Sequence, residues 1–451
     1  MSLKDKVTLV TLLTQVTRSF TYILIQTSYV LFFYCAKKLM LKKNKSHIVN
    51  IVGAGIAGLT CAHYLKKSSI NVCLYEASGN IGGRMQTEDF AGFKLDHGFH
   101  VLLTAYPEVK QIINYKKLDL ASFYTGSLVR YKDCFHLMSD PFRNPLDGIL
   151  SLANPIGTVL DKVNIGLLRT GLRTMSSYAD STSTADALDN FGFSASIKER
   201  FLAPFLRAVF LEPELSTSVR KFDEVFKNFA NGEIAVPSMG ISSIPKQLGS
   251  SLSSDELKLN APVSNINRNI IELESGQKIE SKTTVVAVEE KNANNLLGVT
   301  KTKLSYKTEV ACLYFGVKNT NVPEAILILN GTGSGPVNNL SLMPKDTEYA
   351  PDKCKLVVVS VVSPQFLDKK NLTQLVVDQL EQWYGIEVRN WRYLKTYRIK
   401  RPVPCPAEMP LKISSKVREG LYRCGDYMGV ASLNTAIKSG RKAAEAILGD
   451  L

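Results

Sequence analysis

His47 to Thr87, HIVNIVGAGIAGLTCAHYLKKSSINVCLYEASGNIGGRMQT, decides the fold of this chain. Ile48, Val49, Ile51 and Val52 form a β-branched run, too short for a helix and closed by Gly53, which is the pattern of a buried parallel strand. Gly53, Gly55 and Gly58 follow at G-x-G-x-x-G spacing, with Ala57 inside the turn. The first glycine permits a tight turn, the second lets backbone approach a pyrophosphate, and the third lets helix pack on strand. Leu59, Ala62 and Leu65 continue as a helix whose N-terminal N–H groups and positive dipole end face the phosphates. The second strand, Asn71 to Tyr75, ends at Glu76, 18 residues after Gly58. An acid there accepts hydrogen bonds from an adenosine ribose and repels a 2′-phosphate, so a dinucleotide is expected and NADP is disfavoured.

Beyond that acid, Gly82-Gly83-Arg84 supplies two unhindered residues and a cation, and Leu95-Asp96-His97-Gly98 begins eleven residues after Arg84. Together these motifs resemble the flavoprotein superfamily of the amine oxidases, protoporphyrinogen oxidase and the phytoene desaturases. The resemblance runs from about residue 46 to the C-terminus and implies FAD as cofactor. Leu259 to Val288 reads as short strands resembling the family's second dinucleotide-binding segment, where the residue matching Val263 meets the adenine through its backbone. Leu421 to Leu448, LYRCGDYMGVASLNTAIKSGRKAAEAIL, is similar to the family's last motif. Gly425 and Asp426 are thereby assigned to the ribityl and pyrophosphate region, and the backbone near Leu433 and Asn434 to the flavin pyrimidine. In LDHGFH, Gly98 joins the cofactor set, and Asp96, His97 and His100 are the polar side chains expected nearest the flavin. The cofactor residues are therefore Gly53, Gly55, Ala57, Gly58, Glu76, Gly83, Arg84, Gly98, Val263, Gly425, Asp426 and Leu433.

A composition of 45% hydrophobic and 21% charged residues in 451 is globular and long enough to enclose a cofactor. The eight cysteines form no C-x-x-C pair, so a reduced compartment is expected. Five histidines without ligand spacing give no metal site. Of the net charge of +14, residues 1 to 45 carry +7, from eight cations against Asp5. That distribution argues against a nucleic-acid face and for an N-terminal segment on an anionic membrane surface. Phe20 to Ala36 is an uncharged run of seventeen residues, borderline for spanning a bilayer, and Lys37 to Lys45 would hold its end on the cytoplasmic side. A helix lying on the surface is the alternative. If translation starts at Met40, the extension is no part of the enzyme and the protein is cytoplasmic.

The expected fold class is α/β: a Rossmann-like FAD-binding domain in three segments, interleaved with a mixed α+β substrate domain made of a helical insertion and an antiparallel sheet. Residues 46–103, 238–300 and 406–451 are assigned to the first, 104–237 to the helical region and 301–405 to the antiparallel sheet, after the extension 1–45. Phe201, Leu202, Phe205, Leu206 and Val209 lie on one side of a helix, as core packing or as lining for an apolar substrate. Strands are expected at Val310 to Val317, Ala325 to Leu329, Lys355 to Val362 and Trp391 to Ile399. A helix from Asn371 to Tyr384 is expected to stop at Gly385.

No Ser-His-Asp order, cysteine nucleophile signature or paired carboxylates demand a catalytic role, and flavin chemistry needs none because the cofactor is the hydride acceptor. No residue is nominated as acid or base. The reading is an oxidoreductase removing two hydrogens from a small lipophilic substrate of the isoprenoid or carotenoid class, with oxygen or a quinone as acceptor. The alternatives are an amine oxidase, with Tyr393, Tyr397 and Tyr427 as flanking aromatics, a protoporphyrinogen-oxidase-like enzyme, and a non-redox flavin isomerase or scaffold. Cys424, directly before Gly425, is not expected to bind flavin covalently. Since residues 1–39 lie outside every dinucleotide motif, a chain begun at Met40 should retain its full complement of FAD by absorbance; loss of the flavin would show that the segment belongs to the fold.

Overall fold

A computed structural model describes residues 47–299, 309–402 and 413–451; the N-terminal extension lies outside the described residues. A six-stranded sheet gathers its strands from three stretches of chain, in the order Leu257–Lys258, Asn71–Tyr75, Ile48–Val52, Thr283–Val286, Leu421–Arg423 and Lys416–Arg418. All neighbours are parallel except the last pair. Val49 and Ile51 in the first strand, and Val72 and Leu74 in the second, are buried, as a covered parallel sheet requires.

Helix Ile56–Lys67 crosses this sheet, and the closing helix Leu433–Asp450 packs on it through Ala443, Ala444 and Ile447. The crossing is close because Gly440 has no side chain: a Cβ there would lie 2.3 Å from the Ala57 carbonyl oxygen. The helix Pro107–Ile112 locks the same end of the closing helix. Both Glu108 carboxylate oxygens accept from Arg441, at 2.7 and 2.9 Å, and the Glu108 N–H donates to Asn434 Oδ1 at 3.0 Å.

A seven-stranded sheet stands beside this layer, in the order Arg392–Ile399, Val310–Val317, Lys355–Val361, Asn339–Leu342, Leu327–Asn330, Gly126–Tyr131 and Cys134–Ser139. Its neighbours are antiparallel except Leu327–Asn330 against Gly126–Tyr131. The helix Leu372–Tyr384 covers one face and ends at Gly385, whose φ of +85° suits glycine.

Two features depart from expectation. Residues 104–237 are not wholly helical: the hairpin Gly126–Ser139 leaves that stretch to complete the sheet, and Leu120–Ser122 joins Ile234–Pro237 and Leu102–Leu103 in a small sheet of their own. The strand Asn339–Leu342 carries no apolar run, yet it is wholly buried because its polar groups are bonded internally, Ser341 Oγ to the Ile326 carbonyl at 3.0 Å and Asn339 Nδ2 to Ser360 Oγ at 3.4 Å. Helices fill the remainder of 145–231 around a core that includes Leu202, Leu206, Phe210 and Phe222. Of the predicted stripe, Leu202 and Leu206 are core, while Phe201 and Phe205 stack at 5.9 Å at its margin. Among the described residues no helix is long and apolar enough to cross a membrane.

Two glycines of the closing helix separate packing from propensity. Gly440→Ala should lower the unfolding midpoint by the equivalent of about 1–3 kcal/mol, an overpacked backbone contact. Gly449→Ala, whose added Cβ meets nothing within 4 Å, should be neutral or stabilising by up to about 1 kcal/mol. Equal losses in thermal denaturation would show that the Gly440 crossing is not the constraint.

Candidate dinucleotide site

The glycine turn lies at the carboxyl end of Ile48–Val52, between strands on either side. Gly53 adopts φ +102°, and its N–H donates to the Tyr75 carbonyl at 2.8 Å. A Cβ on Gly58 would fall 2.1 Å from the Gly53 carbonyl oxygen, so only glycine lets the helix start against the strand. Gly55 differs: a Cβ there would meet no protein atom within 4 Å. No side chain caps the helix it precedes. An open space beside an uncapped helix N-terminus fits a pyrophosphate. Ala57 is buried in the first turn of that helix, under Gly440.

Glu76 lies at the edge of this space. Its Oε2 accepts the Ala54 N–H at 2.8 Å and its Oε1 the Ser78 N–H at 2.9 Å, which holds the carboxylate beside the glycine turn where a ribose would bond. The next turn closes over the first: Gly82 N–H donates to the Ala54 carbonyl at 2.8 Å, and Gly83, at φ +61°, stands with its Cβ position 3.4 Å from the Gly55 Cα.

Arg84 reaches across to the last motif. Its guanidinium donates to Asp426 Oδ2 at 2.7 Å and to the Pro402 carbonyl at 3.0 Å. Gly425 is held by Ser439 Oγ, which accepts its N–H at 3.0 Å, and Leu433 opens the closing helix, where Ser432 Oγ accepts the Thr435 N–H. Val263 begins the strand Val263–Asn267, which follows a segment bonded to Glu76: the Ala261 N–H donates to the Glu76 carbonyl at 2.8 Å. The sequence-predicted residues thus meet at one end of the parallel sheet, apart from Gly98, which sits at φ +120° beneath Ile399.

The polar side chains of LDHGFH divide. Asp96 is buried and fully engaged: Oδ1 accepts from Thr87 Oγ1 at 2.6 Å and from the Ile241 N–H at 3.1 Å, and Oδ2 accepts from the Tyr349 hydroxyl at 2.6 Å. The Tyr314 hydroxyl donates to the carbonyls of Asp96 and Gly98. Asp96 is therefore a junction between chain segments and not a group turned to a ligand. His97 stacks on Tyr397 with centroids 4.7 Å apart, and its Nε2 lies 3.5 Å from Glu88, which pairs with Lys395. His100 Nδ1 lies 3.2 Å from the Gly98 carbonyl oxygen. Sequence reasoning does not find Tyr314, Tyr349 or Thr87, nor the Ile241 N–H that bonds to Asp96. Tyr393 packs on Phe315 and Tyr397 on Tyr314, so the two tyrosines lie on opposite faces of the sheet, and Tyr427 is buried against Gly425. Cys424 is wholly buried, which pushes its thiol up to about 12.

Residues 56–448 match the model of the flavin-containing amine oxidoreductases. The chain belongs to that family. It is 36% identical over 66 residues to protoporphyrinogen oxidase 2, chloroplastic/mitochondrial, of Arabidopsis thaliana, covering 15% of this chain and 13% of that one. It is 27% identical over 192 residues to the carotenoid phi-ring synthase of Streptomyces griseus, covering 38% and 36%. Those matches span only 13% and 36% of the two relatives' own length. Reduced UDP-galactopyranose mutase superposes with a TM-score of 0.65 at 19% identity, over 90% of this chain and 96% of that one, and shares the fold. Membership of that family gives the chain FAD as its cofactor, and the open space at Gly55, the helix N-terminus and Glu76 fit the adenosine diphosphate part of it.

Because Gly55 faces open space, Gly55→Val should abolish flavin retention while the protein still folds cooperatively; a variant with full FAD occupancy would break the assignment. A second expectation concerns pH. Burial pushes the Asp96 carboxyl up to about 6, so its contribution to stability falls as pH rises from about 4 to 6. Burial pushes the His100 imidazole down to about 4, so its contribution is present above about 6.5 and is lost as pH falls toward 4. The two slopes oppose each other. Relative to the parent, His100→Asn should lose stability as pH rises from about 4 to 6, and Asp96→Asn should gain it, each by up to about 1.4 kcal/mol per pH unit. Parallel profiles in denaturant titrations would contradict both assignments.

Proposed function

We propose that this enzyme removes two hydrogens from a lipophilic substrate of the isoprenoid or carotenoid class. The observation that carries the reading is the state of the carboxylates around the LDHGFH turn. Asp96 is closed by three hydrogen bonds and Glu88 is paired with Lys395, so neither is free to hold a cationic amine. The separation of Tyr393 and Tyr397 on opposite sheet faces likewise removes one aromatic pair that would flank a neutral amine. A neutral, apolar substrate needs neither. The carotenoid-acting relative supports the same class, although it matches 38% of this chain.

FAD supplies the hydride acceptor. The chain's own residues then have three tasks. Gly55, the helix N-terminus behind it and Glu76 hold the adenosine end; Arg84 and Asp426 join the first and last motifs beside it; and the buried Asp96 hub keeps the LDHGFH turn fixed against the antiparallel sheet. No residue is assigned as acid or base. We further propose that residues 1–45 bring the enzyme to the cytoplasmic face of a membrane and that oxygen or a quinone reoxidises the flavin. The match to protoporphyrinogen oxidase 2 favours a porphyrinogen as the second reading.

Anaerobic mixing with a panel of isoprenoids, porphyrinogens and amines, followed by flavin absorbance, separates the classes. Bleaching by an isoprenoid or carotenoid precursor is the expected result. Bleaching by amines alone would transfer the assignment to amine oxidation, and product formed without net flavin reduction would favour isomerisation.

A further inference from the structure

Two helices of the helical layer are turned inside out. In Pro145–Leu152 the side facing the protein is Gly148 and Ser151, while Leu146 and Leu150 are 79% and 70% exposed and Ile149 stands out beside them. In Val159–Thr170 the buried positions include Asp161 and Asn164, while Val159, Leu160 and Val163 face outward, Leu160 at 65% exposed. Phe142, Leu152 and Leu172 extend the same exposed set. Isolated exposed apolar residues are ordinary, but nine within 31 residues of sequence form a concentration that calls for a cover.

We propose that this face docks on a lipid bilayer, with its aliphatic side chains in the outer hydrocarbon and the helices lying in the interface. Three observations favour lipid over a protein partner. The first is that the segment's polar groups are satisfied from within, as hydrocarbon requires. Asp147 accepts from the Tyr124 hydroxyl, Asn154 Nδ2 donates to the Leu137 carbonyl at 2.6 Å, and Thr158 and Asp161 form a reciprocal cap. Lys162 Nζ donates to the carbonyls of Leu152 and Asn154 at 2.9 and 2.8 Å, which closes the end of the first helix. The second is charge. None of Arg143, Asp147, Asp161 and Lys162, the charged residues from Phe142 to Val163, is exposed, whereas the exposed charge at the margin is the cation Arg173, suited to anionic headgroups. The third is composition: Leu and Val make up seven of the nine, and both are under-represented among the residues that carry binding energy between proteins. At 8 and 12 residues the helices are too short to span, so they can only lie in the plane. This contact is separate from residues 1–45 and does not depend on the substrate class.

The test is flotation with vesicles of phosphatidylcholine and phosphatidylglycerol, on the chain begun at Met40 once its FAD content is shown to match that of the full chain, because residues 1–39 would hold the full chain on the same vesicles. Replacing Ile149, Leu150 and Leu160 together by Asp should lower the vesicle-bound fraction at least about tenfold, with FAD content and unfolding midpoint preserved because all three are exposed. Ile386→Asp, at an exposed apolar residue elsewhere, should change nothing. In a second variant, Leu150→Trp, the added fluorescence should be quenched by vesicles carrying brominated acyl chains. Undiminished flotation of the triple variant, or an unquenched signal from the introduced indole on bound vesicles, would overturn the proposal. So would a face-dependent dimer that does not float, which would make a second copy the occupant.

Discussion

Two backbone approaches too close for any side chain govern this molecule. At Gly58 the helix meets the carbonyl of Gly53, and at Gly440 the closing helix meets the carbonyl of Ala57. The first brings the helix N-terminus up to the end of the strand. The second lays the last segment of the chain directly on the first. Once these contacts are made, Glu76 bonds to the Ala54 N–H and Arg84 reaches Asp426, so residues far apart in sequence share one end of the sheet. The cofactor as a whole needs that convergence, because no single segment carries the helix terminus, the ribose acid and the closing Gly-Asp pair.

Asp96 does for the second sheet what glycine does for the first. Burying a carboxylate is unfavourable unless hydrogen bonds compensate, and this one takes three, from Thr87, Ile241 and Tyr349, with Tyr314 bonded to its own carbonyl. Those donors come from four separate stretches of chain. The raised Asp96 carboxyl shows that compensation is incomplete, and the lowered imidazole of His100, bonded back to the Gly98 carbonyl, adds a group with the opposite pH dependence. The LDHGFH turn is held rigid against the antiparallel sheet at that energetic cost.

The features that rest on local chemistry are the ones the chain discloses before it is folded. The strand Ile48–Val52, the glycine turn, the strand ending at Glu76 and the helix stopped by Gly385 are all legible, because apolar period and glycine placement act over a few residues. Val310–Val317 is equally plain as an eight-residue apolar run. The hairpin Gly126–Ser139 is hidden because it belongs to a sheet assembled from distant chain, and Asn339–Leu342 because its burial depends on partners at Ile326 and Ser360 rather than on its own side chains. In the site, the glycines of the first turn and Glu76 are recognisable from motif spacing, and Arg84 and Asp426 from the family resemblance. The role of Asp96 is not, since nothing nearby in sequence announces Tyr314 or Tyr349.

The central claim is that one adenine dinucleotide with an unphosphorylated ribose, carrying flavin, fills the space at Gly55 beside Glu76. The most direct measurement is the identity and amount of cofactor released when the purified full chain is denatured, by chromatography and mass spectrometry. FAD in a one-to-one ratio to the chain is the predicted result. FMN, an NADP species, or a folded chain that takes up no FAD would contradict it.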